Sequence, residues 1–351
     1  MLQDPERESM SRKKRAAFAA VGAVLMLIAT LVVLELLIRL LNPTKSLYPR
    51  WQISDRYGHT LYPGVTMVDE VPGRWRFEYT INELGYRGEP VPISNRYEKK
   101  NIVVLGDSHS FGHGVNDGEE YPAVMDRALA DSYDVINLAV GGYGLPQEIR
   151  RYYEFGQLYR PALVILQFAG NDPEDGFYNR VAEVDNGRFI FRSVRRPESG
   201  IKAFLSRSIV QKSQIYNYLR YIVFPLLQRR ELAQAYAATE ATSGTGGEDA
   251  RVEAEEAFYN TLLQTFAQDL SQQGVPLIVI ATNDGSLDRF PAIRDEILAL
   301  EAEGLLDYVD VGEWLDDPEA YPPSPEGHPW GKEAHRELGL RLAEYIRAHG
   351  Y

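Results

Sequence analysis

The chain of 351 residues contains no cysteine. This absence excludes disulfides, a thiol nucleophile, a lipid-modified cysteine and a thiolate metal site, so any nucleophile must be a hydroxyl, an amine or a carboxylate. Basic residues are also few, with 37 Lys and Arg against 50 Asp and Glu. The net charge of −13 argues against a general nucleic-acid binder, which needs a basic face. The 44% of hydrophobic residues suffices for a globular core and excludes a disordered chain.

The charge is distributed unevenly along the chain. Residues 1–45 hold seven basic and four acidic side chains, a net of +3, so the remaining residues carry −16. We therefore expect the two parts of the chain to lie in different surroundings.

One apolar run is long enough to cross a membrane. Residues 16–34 contain no charge, and the apolar stretch continues to residue 41 around Glu35 and Arg39. A bilayer core needs about 20 helical residues, and the positive-inside rule places the preceding basic cluster at residues 12–15 in the cytoplasm. A cleaved signal peptide is the alternative, but the run is long for one and no Ala-x-Ala-like site follows it. The sequence predicts a cytoplasmic stub at residues 1–15, a transmembrane anchor at residues 16–41, and a body outside the cytoplasm.

The body divides into three kinds of sequence. Residues 43–100 are rich in Pro, Gly and aromatic residues, which predicts a small strand-rich layer next to the membrane. From residue 101 onward, β-branched apolar runs alternate with helical stretches, which is typical of an α/β fold whose parallel sheet is covered on both faces. Residues 173–250 interrupt this alternation and are interpreted as an inserted cap that ends in a flexible loop. We expect strands at residues 102–105, 135–140, 162–168, 277–281 and 308–311, and helices at residues 119–130, 146–158, 253–272, 291–303 and 332–348.

Reactive residue types follow the predicted strands. In a parallel α/β sheet, ligands bind beyond the carboxyl ends of the strands. Ser108 follows the first strand at a tight turn, Gly142 follows the second, and Asn171 follows the third. His328 precedes the last helix, with Glu326 two residues before it. Together these residues supply a nucleophile, a base with an acid, and donors for a tetrahedral intermediate, which are the components of acyl transfer.

Other types of site are less well supported. Asp107, His109 and His113 suggest a metal site, but no His-Glu-x-x-His pattern accompanies them. The sequence has no phosphate-binding Gly-x-x-x-x-Gly-Lys-Ser/Thr loop. A Gly-x-Ser-x-Gly elbow is also absent, because Ser110 occupies the position of its second glycine. We expect neither a metal nor a cofactor.

These blocks resemble the SGNH (GDSL-like) hydrolase superfamily over roughly residues 76–348. The blocks that carry the resemblance are Gly106-Asp107-Ser108, residues 137–142, Gly170-Asn171-Asp172 and His328 with a preceding acid. Residues 82–89 also resemble a lead-in of membrane-anchored bacterial members. The resemblance implies a flavodoxin-like sheet order, Ser108 as nucleophile and His328 as general base. It implies an oxyanion hole formed by the Ser108 amide, the Gly142 amide and the Asn171 side chain.

One position departs from the family pattern. Many members place Asp three residues before the histidine, where this chain has Pro325. Other members resemble Asp-x-His, so Glu326 is our candidate for the residue that orients His328. Glutamate is one methylene longer than aspartate and must reach the imidazole differently.

The predicted function is a membrane-anchored serine esterase that hydrolyses acyl esters, including O-acetyl esters, on envelope carbohydrate or lipid. Aromatic residues in the cap are candidates for stacking on sugars or lining an acyl channel, although packing within the cap explains most of them equally well. Two alternatives stay open from the sequence: an O-acyltransferase for envelope polysaccharide, and a non-catalytic binding or assembly protein on the same scaffold.

Overall fold

The computed structural model describes residues 12–41, 51–71, 73–95, 98–193, 213, 215, 248–282 and 285–351. In this part of the chain, one helix is long and apolar enough to cross a membrane, namely α1 (Arg12–Leu41). None of its residues is buried against the rest of the protein. Near its C-terminal end, Arg39 forms an ion pair with Glu35 at 2.8 Å, one turn apart on the same face. The predicted apolar segment is therefore a single helix with its apolar surface available to lipid.

Two antiparallel hairpins follow α1. They comprise β1 (Trp51–Ser54) with β2 (Gly58–Leu61), and β3 (Val65–Val71) with β4 (Trp75–Ile81). Alternate residues of β4 are buried, as expected of a strand with one face on a core. The same core contains Phe111, Val140 and Tyr143, which belong to the segments that follow the first two strands of the central sheet. The hairpins thus cover one end of the main domain.

The main domain contains a parallel central sheet and a separate hairpin. Its strands are β5 (Lys100–Leu105), β6 (Tyr133–Asn137), β7 (Leu163–Phe168), β8 (Ala182–Asp185), β9 (Arg188–Phe191), β10 (Leu277–Ala281) and β11 (Asp307–Asp310). The central sheet has five parallel strands in the order β6, β5, β7, β10, β11. This order is the flavodoxin-like one, so the predicted fold class is confirmed. The antiparallel hairpin, β8 with β9, lies in the predicted insertion.

Helices cover both faces of the sheet because alternate strand residues point to opposite sides. They are α2 (Ser108–Phe111), α3 (Tyr121–Ala128), α4 (Leu145–Glu154), α5 (Asp172–Tyr178), α6 (Glu248–Gln272), α7 (Ser286–Arg289), α8 (Pro291–Ala302) and α9 (Lys332–His349). Val103 and Leu105 belong to one core, and Ile102 and Val104 to the other. The first core is covered by α4, α6 and α8, and the second by α3 and α9.

The predicted cap is described only in part. Its first segment contains α5 and the β8–β9 hairpin, whose Phe189 and Phe191 rings pack near Tyr153. Ser213 and Ile215 contact α1, where the Ser213 hydroxyl and the Ile215 amide donate to the Glu35 carboxylate. The predicted flexible loop and the cap tyrosines at positions 216, 218 and 221 lie outside the described residues.

Candidate active site

The turn after β5 presents Ser108 at the first position of α2. Asp107 caps this helix, and its carboxylate accepts a hydrogen bond from the His109 amide at 3.0 Å. Gly106 permits the tight turn, since a Cβ there would lie 2.6 Å from both the Gln167 Oε1 and the Ser110 Oγ atoms. Ser108 is half-buried at the carboxyl edge of the sheet, where ligands of such folds bind.

Arg87, in the lead-in segment that the sequence singled out, fixes the other end of α2. Its buried guanidinium donates to the carbonyls of Phe111, Gly112 and Val115 at 3.1, 2.5 and 2.8 Å. It also lies 3.4 Å from the buried carboxylate of Glu120. Because these carbonyls end the short helix, Arg87 holds the whole turn that carries Ser108.

His328 reaches Ser108 from the turn before α9. Its Nε2 atom lies 3.1 Å from the Ser108 Oγ atom, within hydrogen-bonding distance across 220 residues of sequence. The turn is closed by Ser324, whose hydroxyl accepts from the His328 amide at 3.0 Å and whose amide donates to the His328 carbonyl at 2.9 Å. The structure therefore brings together the predicted nucleophile and the predicted base.

The surroundings of His328 favour its neutral form. Burial lowers its pKa, the neighbouring His109 lowers it further, and the Asp107 carboxylate opposes both, so that the pKa is about 4. A neutral imidazole can accept the serine proton, so His328 is in the form required of a base at neutral pH. A hydrogen bond between the imidazole and the Trp330 backbone also opposes the lowering of the pKa.

Asp107 and His109 form a second pair beside the first. The His109 Nδ1 atom lies 3.1 Å from the Asp107 Oδ1 atom, and the His109 ring lies 4.5 Å from the His328 ring. Burial by itself raises the pKa of Asp107, but the charge and hydrogen bonds of His109 and a hydrogen bond from Asn171 lower it to about 2. Asp107 is therefore a carboxylate next to the reactive serine, whose Oγ atom lies 3.4 Å from the Asp107 Oδ2 atom.

Glu326, the candidate for orienting His328, contacts a different histidine. Its Oε1 atom lies 3.2 Å from the Nε2 atom of His113. The His113 ring in turn packs edge-on against the His328 ring, with centroids 5.5 Å apart. Glu326 is thus linked to His328 through His113, and a direct orienting role for Glu326 stays a prediction.

Gly142, the predicted second oxyanion donor, lies in a tight turn after β6. The Tyr143 amide donates to the Val140 carbonyl at 3.1 Å, which closes a four-residue turn with Gly141 and Gly142 at its centre. Gly142 has a φ of +74°, while Gly141 is not among the positive-φ residues, and this combination defines a type II turn. A Cβ at Gly141 would lie 3.7 Å from the Ser108 Cβ atom, so the turn lies next to the nucleophile.

Asn171, the third predicted oxyanion donor, contacts the Asp107 carboxylate next to Ser108. Its Nδ2 atom donates to the Asp107 Oδ2 atom at 3.2 Å and to the Asp175 Oδ2 atom at 2.9 Å. The Ser108 hydroxyl and the Asn171 amide therefore approach the same carboxylate oxygen. Burial raises the pKa of Asp175 to about 6. The Asn171 amide can turn one N–H towards a substrate oxygen if it releases one of the two carboxylates.

Four of the six histidines of the chain meet around this site. His109, His113 and His328 pack on one another, and His59 reaches the Gly141 carbonyl from the β1–β2 hairpin, with its Nε2 atom 2.9 Å away. Sequence reasoning missed the roles of Asp107 as a helix cap, of His113 as the partner of Glu326, and of His59. The Gly106-Asp107-Ser108 block identified the first position, whereas no local pattern marks the other two.

Several solved structures are similar to this chain. They include TesA, at 15% sequence identity and a TM-score of 0.41 over 71% of this chain and 99% of TesA. The psychrotrophic esterase EstA from Pseudoalteromonas sp. has 10% identity and a TM-score of 0.40, over 72% and 98% of the two chains. Est24, a carbohydrate acetylesterase from Sinorhizobium meliloti, has 11% identity and a TM-score of 0.38, over 72% and 100%.

A comparison with curated proteins found no match. The model of the GDSL-like lipase/acylhydrolase family, in contrast, matches residues 104–335, which is more than half of the chain and includes both Ser108 and His328. The chain therefore belongs to this family of ester hydrolases.

Proposed function

We propose that the protein is a membrane-anchored serine esterase that hydrolyses acyl esters outside the cytoplasm. The observation that carries this proposal is the 3.1 Å contact between the Ser108 Oγ and His328 Nε2 atoms at the carboxyl edge of the sheet. A serine at the start of a helix, next to a neutral imidazole, is the arrangement required for nucleophilic attack on an ester carbonyl.

In this mechanism His328 takes the proton of Ser108 as the Ser108 Oγ atom attacks the carbonyl carbon. The carbonyl oxygen becomes an oxyanion, for which the Ser108 amide, the Gly142 amide and the Asn171 side chain are the proposed donors. The intermediate collapses, and His328 returns the proton to the departing alcohol, which leaves an acyl group on Ser108. Water then repeats the sequence with His328 as base and releases the carboxylic acid.

The proposed location rests on α1 and its flanks. The most apolar 18-residue stretch of the helix has a mean hydropathy of 2.8, and the helix begins with four basic residues, which favours a cytoplasmic N-terminus. The site then faces the envelope side of the membrane, where acylated carbohydrates and lipids are the available esters. We propose O-acyl groups of such polymers or lipids, including O-acetyl groups, as substrates.

The Trp51 side chain supports a substrate with a flat or ring-shaped part. Its Cζ2 atom lies 3.8 Å from the position that a Cβ of Gly141 would occupy, beside Ser108. An indole next to the turn that borders the nucleophile offers a surface on which a sugar ring or an acyl chain can stack.

The test replaces Ser108 by Ala and His328 by Ala in the full-length protein in detergent. We expect both variants to lose hydrolysis of a short-chain nitrophenyl ester by about 10³-fold or more, because the attacking group or its base is missing. A fluorophosphonate probe should label the parent protein, should not label the Ser108→Ala variant, and should label the His328→Ala variant far more slowly. Hydrolysis as fast as that of the parent in a folded Ser108→Ala variant would contradict the proposal, and a parent protein without hydrolysis would favour a binding protein.

A further inference from the structure

The β1–β2 hairpin places His59 directly on the turn that contains Gly142. The His59 Nε2 atom lies 2.9 Å from the Gly141 carbonyl oxygen. A carbonyl can only accept, so the Nε2 atom carries the hydrogen in this contact. His59 is outside residues 104–335, the segment that the family model matches. The contact therefore joins the β1–β2 hairpin to the matched segment.

The accepting carbonyl belongs to the same peptide unit as the Gly142 amide. A peptide unit is planar, so its C=O and N–H groups point in opposite directions. Fixing the Gly141 oxygen thus fixes the direction of the Gly142 N–H. Type I and type II turns differ mainly by a flip of this central peptide, which reverses both groups. The φ of +74° at Gly142 shows that this peptide has the type II orientation.

The hairpin is held rigidly enough to act as such a clamp. The Tyr143 hydroxyl donates to the His59 carbonyl at 2.9 Å, and the Gln147 side chain donates to the Tyr57 carbonyl at 2.8 Å. The His59 ring also packs between two aromatic rings, 5.0 Å from Trp51 and 5.1 Å from Tyr143. The imidazole therefore has one orientation relative to the turn.

We infer that His59 is a positioning residue that sets the oxyanion hole by holding the Gly141–Gly142 peptide in its type II orientation. This inference rests on the proposed function, in which the Gly142 amide stabilises the oxyanion. The hydrogen bond from His59 also polarises the peptide, so that the Gly142 N–H becomes a stronger donor. Because the oxyanion exists only after attack, this contribution acts on kcat and leaves KM nearly unchanged.

The experiment compares His59→Phe and His59→Gln in the full-length protein, with ester hydrolysis as readout. Phe keeps the ring between Trp51 and Tyr143 but has no N–H, whereas the Gln side chain keeps a donor. We expect His59→Phe to lower kcat by about 10- to 100-fold, less than the loss of a whole oxyanion donor, with KM changed by less than about twofold. His59→Gln should recover most of the lost kcat. His59→Met, which is flexible and lacks an N–H, repeats the test should Phe disturb folding.

Gly142→Ala provides a second line of evidence, because Ala disfavours the positive φ and promotes the flipped turn. If His59 acts through this peptide, the double variant His59→Phe/Gly142→Ala should lose little more kcat than the worse single variant. Losses that multiply would overturn the inference.

The matched control is His349→Phe. The His349 ring also contacts a carbonyl, that of Tyr345 at 2.8 Å, but at the far end of α9. This variant should keep the parent kcat. Unchanged kcat in folded His59→Phe, together with lost activity in Ser108→Ala, would overturn the role of His59 alone. Unchanged hydrolysis in Ser108→Ala would overturn the proposed function and this inference with it.

Discussion

The Ser108 hydroxyl has two neighbouring hydrogen-bond acceptors, and they differ in how strongly they can hold its proton. Its Oγ atom lies 3.1 Å from the His328 Nε2 atom and 3.4 Å from the Asp107 Oδ2 atom. In the proposed mechanism only donation to His328 leads to attack, because Asp107, with a pKa of about 2, is too weak a base to keep the proton. The His109 and Asn171 contacts to Asp107 therefore help the serine by occupying its competitor.

The contact between Glu326 and His113 permits a test of the acid's role. We predict that Glu326→Gln and His113→Phe each lower kcat by a similar factor, about tenfold, since either change disturbs the packing that holds the His328 ring. The measurement is kcat for a soluble ester, with circular dichroism to confirm folding. A loss near 10⁴-fold in Glu326→Gln alone would instead identify Glu326 as the direct acid partner of His328.

His109 should set the pH range of the enzyme. The protonated form of His328 is inactive as a base, so kcat/KM falls as the pH drops through the pKa of His328, about 4 in the parent. Because His109 lowers this pKa, the His109→Gln variant should have a higher one. We therefore predict that the acid limb of the kcat/KM profile moves to higher pH in His109→Gln.

The readout is the acid limb measured between about pH 3 and pH 8. The exposed His349→Gln serves as control and should keep the parent profile. An acid limb that stays in place, or moves to lower pH, would show that His109 does not tune His328.

At the scale of elements, the sequence predicts the strands of the central sheet but does not predict the contact between the β1–β2 hairpin and the turn at Gly141. Continuous apolar runs such as residues 277–281 fit only strands buried on both faces, and the five predicted strands are all present. The last helix likewise buries the four residues spaced four apart, Ala334, Leu338, Leu342 and Ile346. Both features can be predicted from the local pattern of apolar residues, because that pattern is set within a single strand or helix.

The contacts of the candidate site were likewise predictable only where they depend on the sheet. Ser108, Gly142 and Asn171 were predictable as candidates because the ends of parallel strands meet at one edge of the sheet, whatever the loops do. The contacts of His59 with Gly141 and of Glu326 with His113 join segments 82 and 213 residues apart. They depend on how a hairpin and a loop dock, and neither periodicity nor spacing encodes that docking.

For the whole molecule, the division of charge predicts the topology. Residues 1–45 carry a net charge of +3 and the remaining residues −16, and four basic residues directly precede the apolar run of α1. Moving this cluster across the bilayer is costly, whereas translocating an acidic domain is not opposed by the rule that governs basic residues. We therefore predict that residues 1–15 lie in the cytoplasm and that the hydrolase domain lies on the opposite side.

The absence of native cysteine makes this prediction directly measurable. Ser9→Cys introduces the only thiol of the chain into the stub, and Thr66→Cys introduces it at an exposed position of β3. In intact cells, or in spheroplasts where an outer membrane is present, a membrane-impermeant maleimide should label Thr66→Cys at once. It should label Ser9→Cys only after lysis, while the parent chain stays unlabelled under both conditions. The reverse labelling pattern would contradict the predicted orientation, because the basic N-terminal residues would then lie outside the cytoplasm.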